Sequence, residues 1–398
     1  MKIVYFNYMW DLWGLSIGST IKALELLKAL ADCGHDIKKY WRNDSIDNKG
    51  TGPAEIGGAT RHLLKKYLKR YLHEPSQLMK NIKRSQEEIA ILEQEQPDLV
   101  ISRVESYLYS PVRVSKMTGI PYLIEADSPA SYEKVEFQKY FRSTKSLLYW
   151  IENRQILSGQ AAFTVSNQIK EYFVGHGIPG DFIYVIPNGA DPERFNPSIP
   201  CNDIKQKYDL QKVTTIGFVG SFIYWHGIEN LTYIIEKTLA THQKVKFLMV
   251  GEGGPMKPML EKFIADHKLT DRAILTGFVP HEEIPKYIAA MDIVLAPYPK
   301  LDFFYYSPVK VYEYMSCGKP VVTTRIGQIA EIIEDRRNGF LTEPGDRESM
   351  KLTIRELINN VELREKVGAT ARRDILEKHT WRSRGEQLSA LCERVVGG

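Results

Sequence analysis

Hydrophobic and polar positions form a repeating block pattern along most of the chain. Short apolar runs are followed by longer stretches in which apolar residues recur with helical spacing. Apolar runs without internal alternation are typical of parallel strands that are covered by helices on both faces. The runs that we predict to be strands are KIVYFN (2–7), LVIS (99–102), PYLIEA (121–126), AAFTVS (161–166), IYVIP (183–187), TTIGFVG (214–220), KFLMVG (246–251), AILTGF (273–278), DIVLAPY (292–298), PVVTT (320–324) and GFLT (339–342).

The alternation is interrupted once, by the Pro- and Asn-rich segment 187–203, and then starts again. This restart and the length of 398 residues predict an α/β protein with two doubly wound domains. We expect the first domain at 1–186 and the second at 187–375. A helical tail at 376–398 has no strand of its own and is expected to cross back to the first domain.

Composition and charge exclude several classes of protein. A net charge of +4 is small for this length and does not indicate nucleic acid as a partner. The four cysteines form no CxxC pair, which argues against a zinc site and a disulfide framework and favours a reducing compartment. The N-terminus does not read as a signal peptide, and no run of 18 apolar residues occurs. We therefore expect a cytoplasmic protein that can still contact a membrane from one side.

Segment 61–84 differs from the rest of the chain because it carries eight Lys or Arg against one Glu. Its apolar residues fall on one helical face: Leu63, Leu64, Tyr67, Leu68, Tyr71 and Leu72. A basic helix with such a face suits the surface of an anionic membrane. It equally suits a helix that packs on a core and turns its basic face to solvent.

Glycines follow several of the predicted strands in the second half of the chain. They occur at Gly220, in the segment 251–254 (Gly-Glu-Gly-Gly) and at Gly277. Ligands of doubly wound sheets bind at the carboxyl ends of the strands. Each glycine alone is explained by a short turn, but their number in one domain predicts a ligand crevice there. None has the GxGxxG spacing of a dinucleotide-binding turn.

The segment YYSPVKVYEYMSCGKPVV (305–322) predicts a short helix with charged residues in an apolar setting. Ser307 is suited to the N-cap and Pro308 to the first helical position. The first backbone N–H groups, at Val309 and Lys310, would then favour an anion such as phosphate, with the Lys310 ammonium beside them.

Glu313 lies in the same predicted helix among apolar and aromatic residues. A carboxylate in such surroundings is costly unless it is hydrogen-bonded, and the two hydroxyls of a ribose would satisfy it. The alternative is a simple pair with Lys310, three residues earlier, which would contribute only a few tenths of a kcal/mol.

An ordered set of motifs resembles the donor domain of family 4 glycosyltransferases. The matching segments are 217–231, 247–263, 274–298, 307–333 and 338–341, and 165–195 resembles the join between the two domains of that family. The resemblance implies the GT-B fold, in which two Rossmann-like domains face each other across a cleft. It implies a retaining, metal-independent hexosyltransferase that uses a UDP- or GDP-sugar as donor substrate, with no cofactor and no bound metal. No DxD motif occurs in the chain.

The resemblance assigns the donor-binding residues by position. Glu313 corresponds to the second glutamate of the family's E-x7-E motif, which binds the ribose, whereas the first falls at Tyr305 and is absent. Ser307, Pro308, Val309 and Lys310 stand where the diphosphate and the donor sugar are expected.

Two positions that commonly carry cations in the family are changed here. They are Ser221, after Gly220, and His226. We therefore expect Lys310 and a protonated His226 to neutralise the leaving diphosphate. Ser221 is equally suited to cap a helix near Gly227, and His226 to be a packed structural histidine.

The resemblance also implies residues that line the nucleotide pocket. Glu252 would line it, and Phe278 and Val279 would place backbone groups against the base. The alternative for Glu252 is a plain carboxylate in a turn.

The first domain is expected to bind the acceptor. Its segment 9–20 (MWDLWGLSIGST) resembles the family's glycine loop, with Gly18 closest to the donor phosphates. Trp13 and Gly14 on this loop are candidate acceptor contacts, and Trp10 and Trp13 are equally suited to packing.

Two carboxylates in or after the strand PYLIEA complete the predicted site. Asp127 falls about where many relatives carry a histidine that contacts the donor sugar, and Glu125 is a candidate acceptor contact. Asp127 is alternatively suited to cap the segment that begins at Ser128.

These assignments predict transfer of a sugar to an acceptor hydroxyl with retention at the anomeric carbon. The expected acceptor is a glycan or a lipid-linked glycan, in polysaccharide or lipid-linked glycan synthesis. The alternatives are a nucleotide-sugar hydrolase or epimerase and a catalytically inert scaffold subunit that binds nucleotide sugar.

Overall fold

The computed structural model describes residues 1–8, 17–41, 59–138 and 145–397, without the side chains of 17, 59–73 and 137–138. The chain divides into two units. One comprises Met1–Ser16, Ala23–Pro187 and Gly385–Gly398, and the other comprises Ile17–Lys22 and Asn188–Arg384.

The first unit is built on a six-stranded sheet with the order β2-β1-β3-β4-β5-β6, in which all neighbours are parallel. Its elements are β1 (Lys2–Asn7), α1 (Ile17–Asp32), β2 (Asp36–Trp41), α2 (Ala59–Glu95), β3 (Leu99–Arg103), α3 (Ser110–Thr118), β4 (Tyr122–Glu125), α4 (Ala130–Glu133) with a following π turn (Lys134–Gln138), α5 (Lys145–Ile156), β5 (Ala161–Thr164), α6 (Asn167–Gly175) and β6 (Ile183–Val185).

The second unit repeats this architecture with the order β12-β11-β10-β7-β8-β9, again all parallel. Its elements are α7 (Asn202–Lys207), β7 (Thr214–Val219), α8 (Ile228–Thr241), β8 (Val245–Val250), α9 (Lys257–Asp266), β9 (Ala273–Leu275), α10 (Ile284–Ala289), β10 (Ile293–Ala296), α11 (Val309–Ser316), β11 (Val321–Thr324), α12 (Ile329–Ile332), β12 (Phe340–Thr342), α13 (Arg347–Asn359) and α14 (Val361–Lys378). The last helix, α15 (Trp381–Gly397), begins in this unit and continues into the first.

The predicted α/β class with two doubly wound parallel sheets is confirmed. The central strands are buried along their whole length, as β3 and β10 illustrate. The unbroken apolar runs of the sequence therefore reflect helices that cover both faces of each sheet.

Strand β2 was not predicted from the sequence. It reads DIKKYW, and only its last residue, Trp41, is buried. It lies at the edge of the first sheet, where charged side chains are common because they discourage pairing with another chain. An edge strand of this kind lacks the apolar run that identifies buried strands.

The predicted tail, 376–398, comprises the last residues of α14 and the helix α15, whose residues from Gly385 onward belong to the first unit. Gly385 lies against α1, because a Cβ at this position would come within 2.6 Å of the carbonyl of Ala29. One turn later, the Ser389 hydroxyl is 2.7 Å from His35 Nε2. The end of the tail is thus an integral part of the first unit.

The structure tests only part of the prediction for segment 61–84. The segment is helical, but the side chains of 61–73, including the predicted apolar face, lie outside the described residues. Beyond them, Met79 is 71% exposed and Ile82 is 55% exposed. Among the helices that the structure describes, none is long and apolar enough to cross a membrane.

Candidate active site

The strand order of the second sheet reverses between β7 and β10, and this switch point is where ligands of doubly wound sheets bind. Gly220 follows β7 directly, while the segment after β10 leads through several aromatic residues to α11. The predicted glycine turns and the predicted helix therefore meet at one edge of this sheet.

Helix α11 begins one residue later than the sequence predicts. Its first residue is Val309 and its N-cap is Pro308, with no side-chain cap. Ser307 is not the N-cap; its buried hydroxyl accepts a hydrogen bond from the Asn188 N–H at 3.1 Å. This bond anchors the approach to the helix, and the described residues give its N-terminus no side-chain cap.

Lys310 extends from the first turn of α11 into the interior. Its Nζ is buried and has no hydrogen-bond partner among the residues that the structure describes, and it lies 4.7 Å from the ring centre of Phe218 and 5.9 Å from that of Tyr298. Burial lowers the pKa of Lys310 to about 7, against the opposing effect of Glu313. A buried ammonium without a counter-ion, next to a helix N-terminus, is suited to an anionic ligand.

Gly220 makes room for this ammonium. Its φ of +140° lies in a region that favours glycine, and a Cβ here would lie 2.7 Å from Lys310 Nζ. Gly251, at the end of the neighbouring strand β8, has no room for a Cβ because the carbonyl oxygen of Gly220 lies against it. The two turns are therefore packed backbone to backbone beneath the Lys310 side chain.

His226 is also close to Gly220, but it is not protonated as expected. Burial and the charge of Lys310 lower the pKa of His226 to about 3. Its Nδ1 donates to the Ser221 carbonyl at 2.7 Å, since a carbonyl can only accept. The expectation of a charged His226 was wrong, because burial and the neighbouring charge of Lys310 both disfavour the protonated ring. Ser221 does not cap α8, whose N-cap is Gly227.

Glu313 lies one turn after Lys310 and is only 5% exposed. It does not form the alternative pair with Lys310. Its Oε1 instead lies 2.7 Å from Nε2 of His281, which the sequence analysis did not single out. His281 belongs to the segment between β9 and α10, which also carries Phe278 and Val279.

The remaining residues predicted for the nucleotide differ in exposure. Phe278 is 62% exposed, whereas Val279 is partly buried against the apolar core of the unit. Glu252 is exposed and forms an ion pair with Lys257, which lowers the pKa of Glu252. Phe278 is thus the more accessible of these side chains.

Tyr305 occupies the position of the missing glutamate and is only 2% exposed. Its ring packs on Phe303 and Tyr306, with ring centres 5.1 and 4.1 Å apart. Tyr306 and Trp225 are both half-buried, and their rings lie nearly parallel. Tyr305 is therefore part of the core, and its position contributes an aromatic ring in place of a carboxylate.

The first sheet has its own switch point, between β1 and β3. Arg103 ends β3, and its Nη2 lies 3.1 Å from Asp127 Oδ2, with both side chains almost fully buried. Asp127 therefore belongs to a buried ion pair, and the N-cap of α4 is Pro129 without a side-chain cap. The prediction that Asp127 contacts the donor sugar stays a prediction.

Glu125 was predicted to contact the acceptor, but it is only 1% exposed. Its Oε2 accepts a hydrogen bond from the Tyr5 hydroxyl at 2.6 Å. This buried position contradicts a direct contact with an acceptor, because no atom of the carboxylate is presented on the surface. Glu125 instead adds negative charge near Arg103.

Most of the predicted glycine loop of the first domain lies outside the described residues. Trp10, Trp13 and Gly14 lie outside the described residues. Gly18 lies in α1, and a Cβ there would meet no atom of the described residues within 4 Å. Within the described residues, no group of three or more His, Cys, Asp and Glu side chains is placed to hold a metal ion.

Of the predicted site residues, the second sheet brings together Gly220, Ser221, His226, Lys310 and Glu313. Sequence reasoning missed His281 and Arg103. Arg103 had a usable signal, because a charged residue directly after the apolar run LVIS ends a fully buried strand. His281 had none, since its partner is 32 residues away in the chain.

Comparison with known proteins identifies the fold and the family. Residues 18–194 match the family model described as Glycosyltransferase Family 4, and residues 213–360 match the model described as Glycosyl transferases group 1. A curated relative is the alpha-D-kanosaminyltransferase of Streptomyces kanamyceticus, which is 21% identical over 292 residues, or 72% of this chain and 74% of that protein.

Two solved structures are similar over nearly the whole chain. A glycosyltransferase of Rickettsia africae has a TM-score of 0.73 at 18% identity, covering 99% of this chain and 98% of the other. Anabaena HepE, solved with UDP and glucose, has a TM-score of 0.71 at 18% identity, covering 99% and 100%. The two sheets and their flanking helices thus correspond to the GT-B fold, and the chain belongs to the family 4, or group 1, glycosyltransferases.

Proposed function

We propose that the chain transfers a sugar from a nucleotide diphosphate sugar to an acceptor hydroxyl, with retention at the anomeric carbon. The observation that carries this proposal is the buried and unpartnered Lys310 ammonium at the N-terminus of α11. A diphosphate supplies the negative charge that this position lacks. Because the similar protein HepE was solved in complex with UDP and glucose, a uridine nucleotide is the first donor to test.

The donor would lie across the carboxyl edge of the second sheet. The base would rest near Phe278 and Val279, with Glu252 at the side of the pocket and the ribose on Glu313. The diphosphate would lie on Lys310 and the first turn of α11. Neutral His226 already donates from Nδ1 to the Ser221 carbonyl. Its Nε2 would therefore be available to the donor only as a hydrogen-bond acceptor.

Catalysis would depend on stabilising the leaving diphosphate. Lys310 and the N-terminus of α11 are placed where negative charge develops as the bond between the sugar and the phosphate breaks. In a front-face reaction the leaving phosphate accepts the proton of the acceptor hydroxyl, so that no protein nucleophile is needed. We also propose that no metal ion bridges the diphosphate, since Lys310 supplies positive charge at this edge.

The acceptor is proposed to be a glycan or a lipid-linked glycan that binds to the first unit, in polysaccharide or lipid-linked glycan synthesis. The described part of α2 supports membrane contact, because exposed Met79 and Ile82 lie beside Lys80 and Lys83. We infer a cytoplasmic enzyme that binds peripherally to anionic membranes. Co-sedimentation with anionic but not with neutral vesicles would support this. Binding to neither kind of vesicle, or equal binding to both kinds, would refute it.

The transferase activity is tested in two steps. A thermal-shift screen of uridine and guanosine diphosphate sugars identifies the donor, and the labelled donor is then incubated with lipid extracts. We expect a new glycosylated lipid or glycan with retained anomeric configuration by NMR. Release of free sugar without an acceptor would indicate a hydrolase, a changed nucleotide sugar an epimerase, and tight binding without turnover a scaffold subunit.

Glu313→Gln provides the matching binding test. A carboxylate accepts hydrogen bonds more strongly than an amide, so this variant should bind the donor at least about tenfold more weakly. Unchanged affinity for each nucleotide that the wild-type protein binds would remove the ribose role of Glu313.

A further inference from the structure

His281 and Glu313 form a buried contact between two elements of the proposed donor site. The two side chains are 16% and 7% exposed, and Nε2 lies 2.7 Å from Oε1. A carboxylate can only accept, so Nε2 of His281 carries the proton and donates. The imidazole ring also packs on Phe195, whose ring centre is 5.5 Å away.

This contact leaves the second oxygen of Glu313 available. Oε1 is engaged by His281, whereas the described residues give Oε2 no hydrogen-bond donor. Another donor on α11 is Lys310, one turn earlier, and its Nζ has no hydrogen-bond partner among the described residues. A carboxylate and an ammonium three residues apart on a helix normally attract each other. In this site they remain separate, and His281 is the group that holds the carboxylate.

We propose that His281 is a positioning residue for nucleotide recognition, which fixes Glu313 so that its free oxygen accepts from the ribose hydroxyls. The proposal rests on the proposed function, in which Glu313 binds the ribose. Without His281, the carboxylate would be free to turn towards Lys310. Both groups would then be lost to the ligand, since the carboxylate would leave the ribose and the ammonium would leave the diphosphate.

The physical basis of this positioning role is the bond itself together with the chain position of the histidine. The segment that holds His281 also carries Phe278 and Val279, so the same turn would contact the base and orient the carboxylate for the ribose. Base recognition and ribose recognition would then depend on one short segment after β9.

The test compares UDP with 2′,3′-dideoxyuridine diphosphate, which lacks both ribose hydroxyls, by calorimetry. The variants are His281→Phe and His281→Leu, which remove the donor, and His281→Gln, which retains one. His267→Phe is the control, because His267 is an exposed histidine of the same unit with a similar ring contact to Phe263. Thermal unfolding confirms that each variant is folded before it is titrated.

We expect the wild-type protein to bind UDP at least about tenfold more tightly than the dideoxy nucleotide, as hydrogen bonds to a carboxylate require. In His281→Phe and His281→Leu this preference should fall to about twofold or less, and His281→Gln should restore it in part. The control should retain the full preference.

The outcomes separate this inference from the proposed function. If His281→Phe and His281→Leu keep the full preference for UDP, the positioning role is refuted while the ribose contact stands. The same holds if the affinity for both nucleotides falls by the same factor. If the wild-type protein binds both nucleotides equally, the ribose contact of Glu313 is itself refuted, and the role of His281 with it. If one donorless variant is unfolded, the other decides the result.

Discussion

Lys310 is the residue whose environment is hardest to explain without a ligand. A buried ammonium costs free energy unless it is paired, and the pKa of Lys310 is lowered to about 7 for this reason. The rings of Phe218 and Tyr298 give it partial compensation through their π faces. A diphosphate would supply the missing charge and return the pKa of Lys310 towards its ordinary value.

This linkage predicts how donor binding depends on pH. Below about pH 7 Lys310 is protonated before and after binding, so the affinity for a nucleotide sugar should be constant. Above that pH the free protein must take up a proton to bind, and the affinity should fall by up to about tenfold per pH unit. A nucleotide sugar is the suitable probe for calorimetry because its diphosphate does not titrate in this range.

Lys310→Met serves as the control for this prediction. It should bind the nucleotide sugar more weakly and without the pH dependence. The interpretation fails if the wild-type affinity is constant from pH 6 to pH 9, or if the variant retains the same slope.

Arg103 in the first unit differs from Lys310, because it is buried together with its counter-ion Asp127 and lies close to Glu125. Arg103→Met would leave buried carboxylates without their cation and should destabilise the protein by about 3–5 kcal/mol in chemical denaturation. Lys38→Met removes the exposed partner of Asp36 in the same unit and should cost less than about 1 kcal/mol. Equal costs for the two variants would show that the Arg103 pair does not contribute as a buried pair.

At the scale of elements, the site depends on how closely the turns after β7 and β8 approach α11. Gly220→Ala would introduce a Cβ within 2.7 Å of Lys310 Nζ and strain a backbone with φ of +140°. We expect it to lower both the melting temperature and the affinity for UDP, the latter by more than about tenfold. Gly345→Ala is the matched control, since its φ is +96° and a Cβ there meets no atom within 4 Å. If both variants bind UDP like the wild-type protein, the close approach at Gly220 is not needed for binding.

Local patterns in the sequence predict the buried strands, and therefore the fold, well. The strand β10 lies between helices on both sides, and its apolar run is visible without any knowledge of the partners. The edge strand β2 is not predicted, because only one of its residues is buried and its charges resemble those of a loop. The start of α11 is predicted within one residue, since Ser-Pro marks a helix start without deciding which of the two is the cap.

The chemistry of the site is less predictable, because it depends on contacts between distant segments. Sequence reasoning found Lys310 and Glu313 from their positions in one helix. It could not show that His281 approaches Glu313, or that Arg103 pairs with Asp127, since these contacts join separate strands and loops. The charge state of His226 was predicted wrongly for the same reason, because it depends on burial and on Lys310.

At the scale of the whole molecule, each unit has a polar cluster at the carboxyl edge of its sheet, and the first unit adds buried carboxyl groups. Burial raises the pKa of Glu88 and of Glu152 to about 7 in each case. Both groups are protonated in the folded protein at a pH where they are ionised in the unfolded chain. Their contribution to stability is therefore fully present below about pH 4 and is lost as pH rises to about 7.

The melting temperature should reflect this loss. We expect the double variant Glu88→Gln and Glu152→Gln to lose less stability than the wild-type protein between pH 5 and pH 7.5. The comparison with the variant removes the effect of all other titrating groups. If the wild-type protein and the variant show the same change, these two carboxyl groups are not held protonated in the fold.

The central claim is that the carboxyl edge of the second sheet binds a nucleoside diphosphate through Lys310, the first turn of α11 and Glu313. The most direct measurement is a crystal structure of the protein soaked with UDP. We predict phosphate oxygens within hydrogen-bond distance of Lys310 Nζ, and ribose hydroxyls on the oxygen of Glu313 that His281 leaves free. A nucleotide bound elsewhere on the chain, with Lys310 still unpartnered, would contradict the claim.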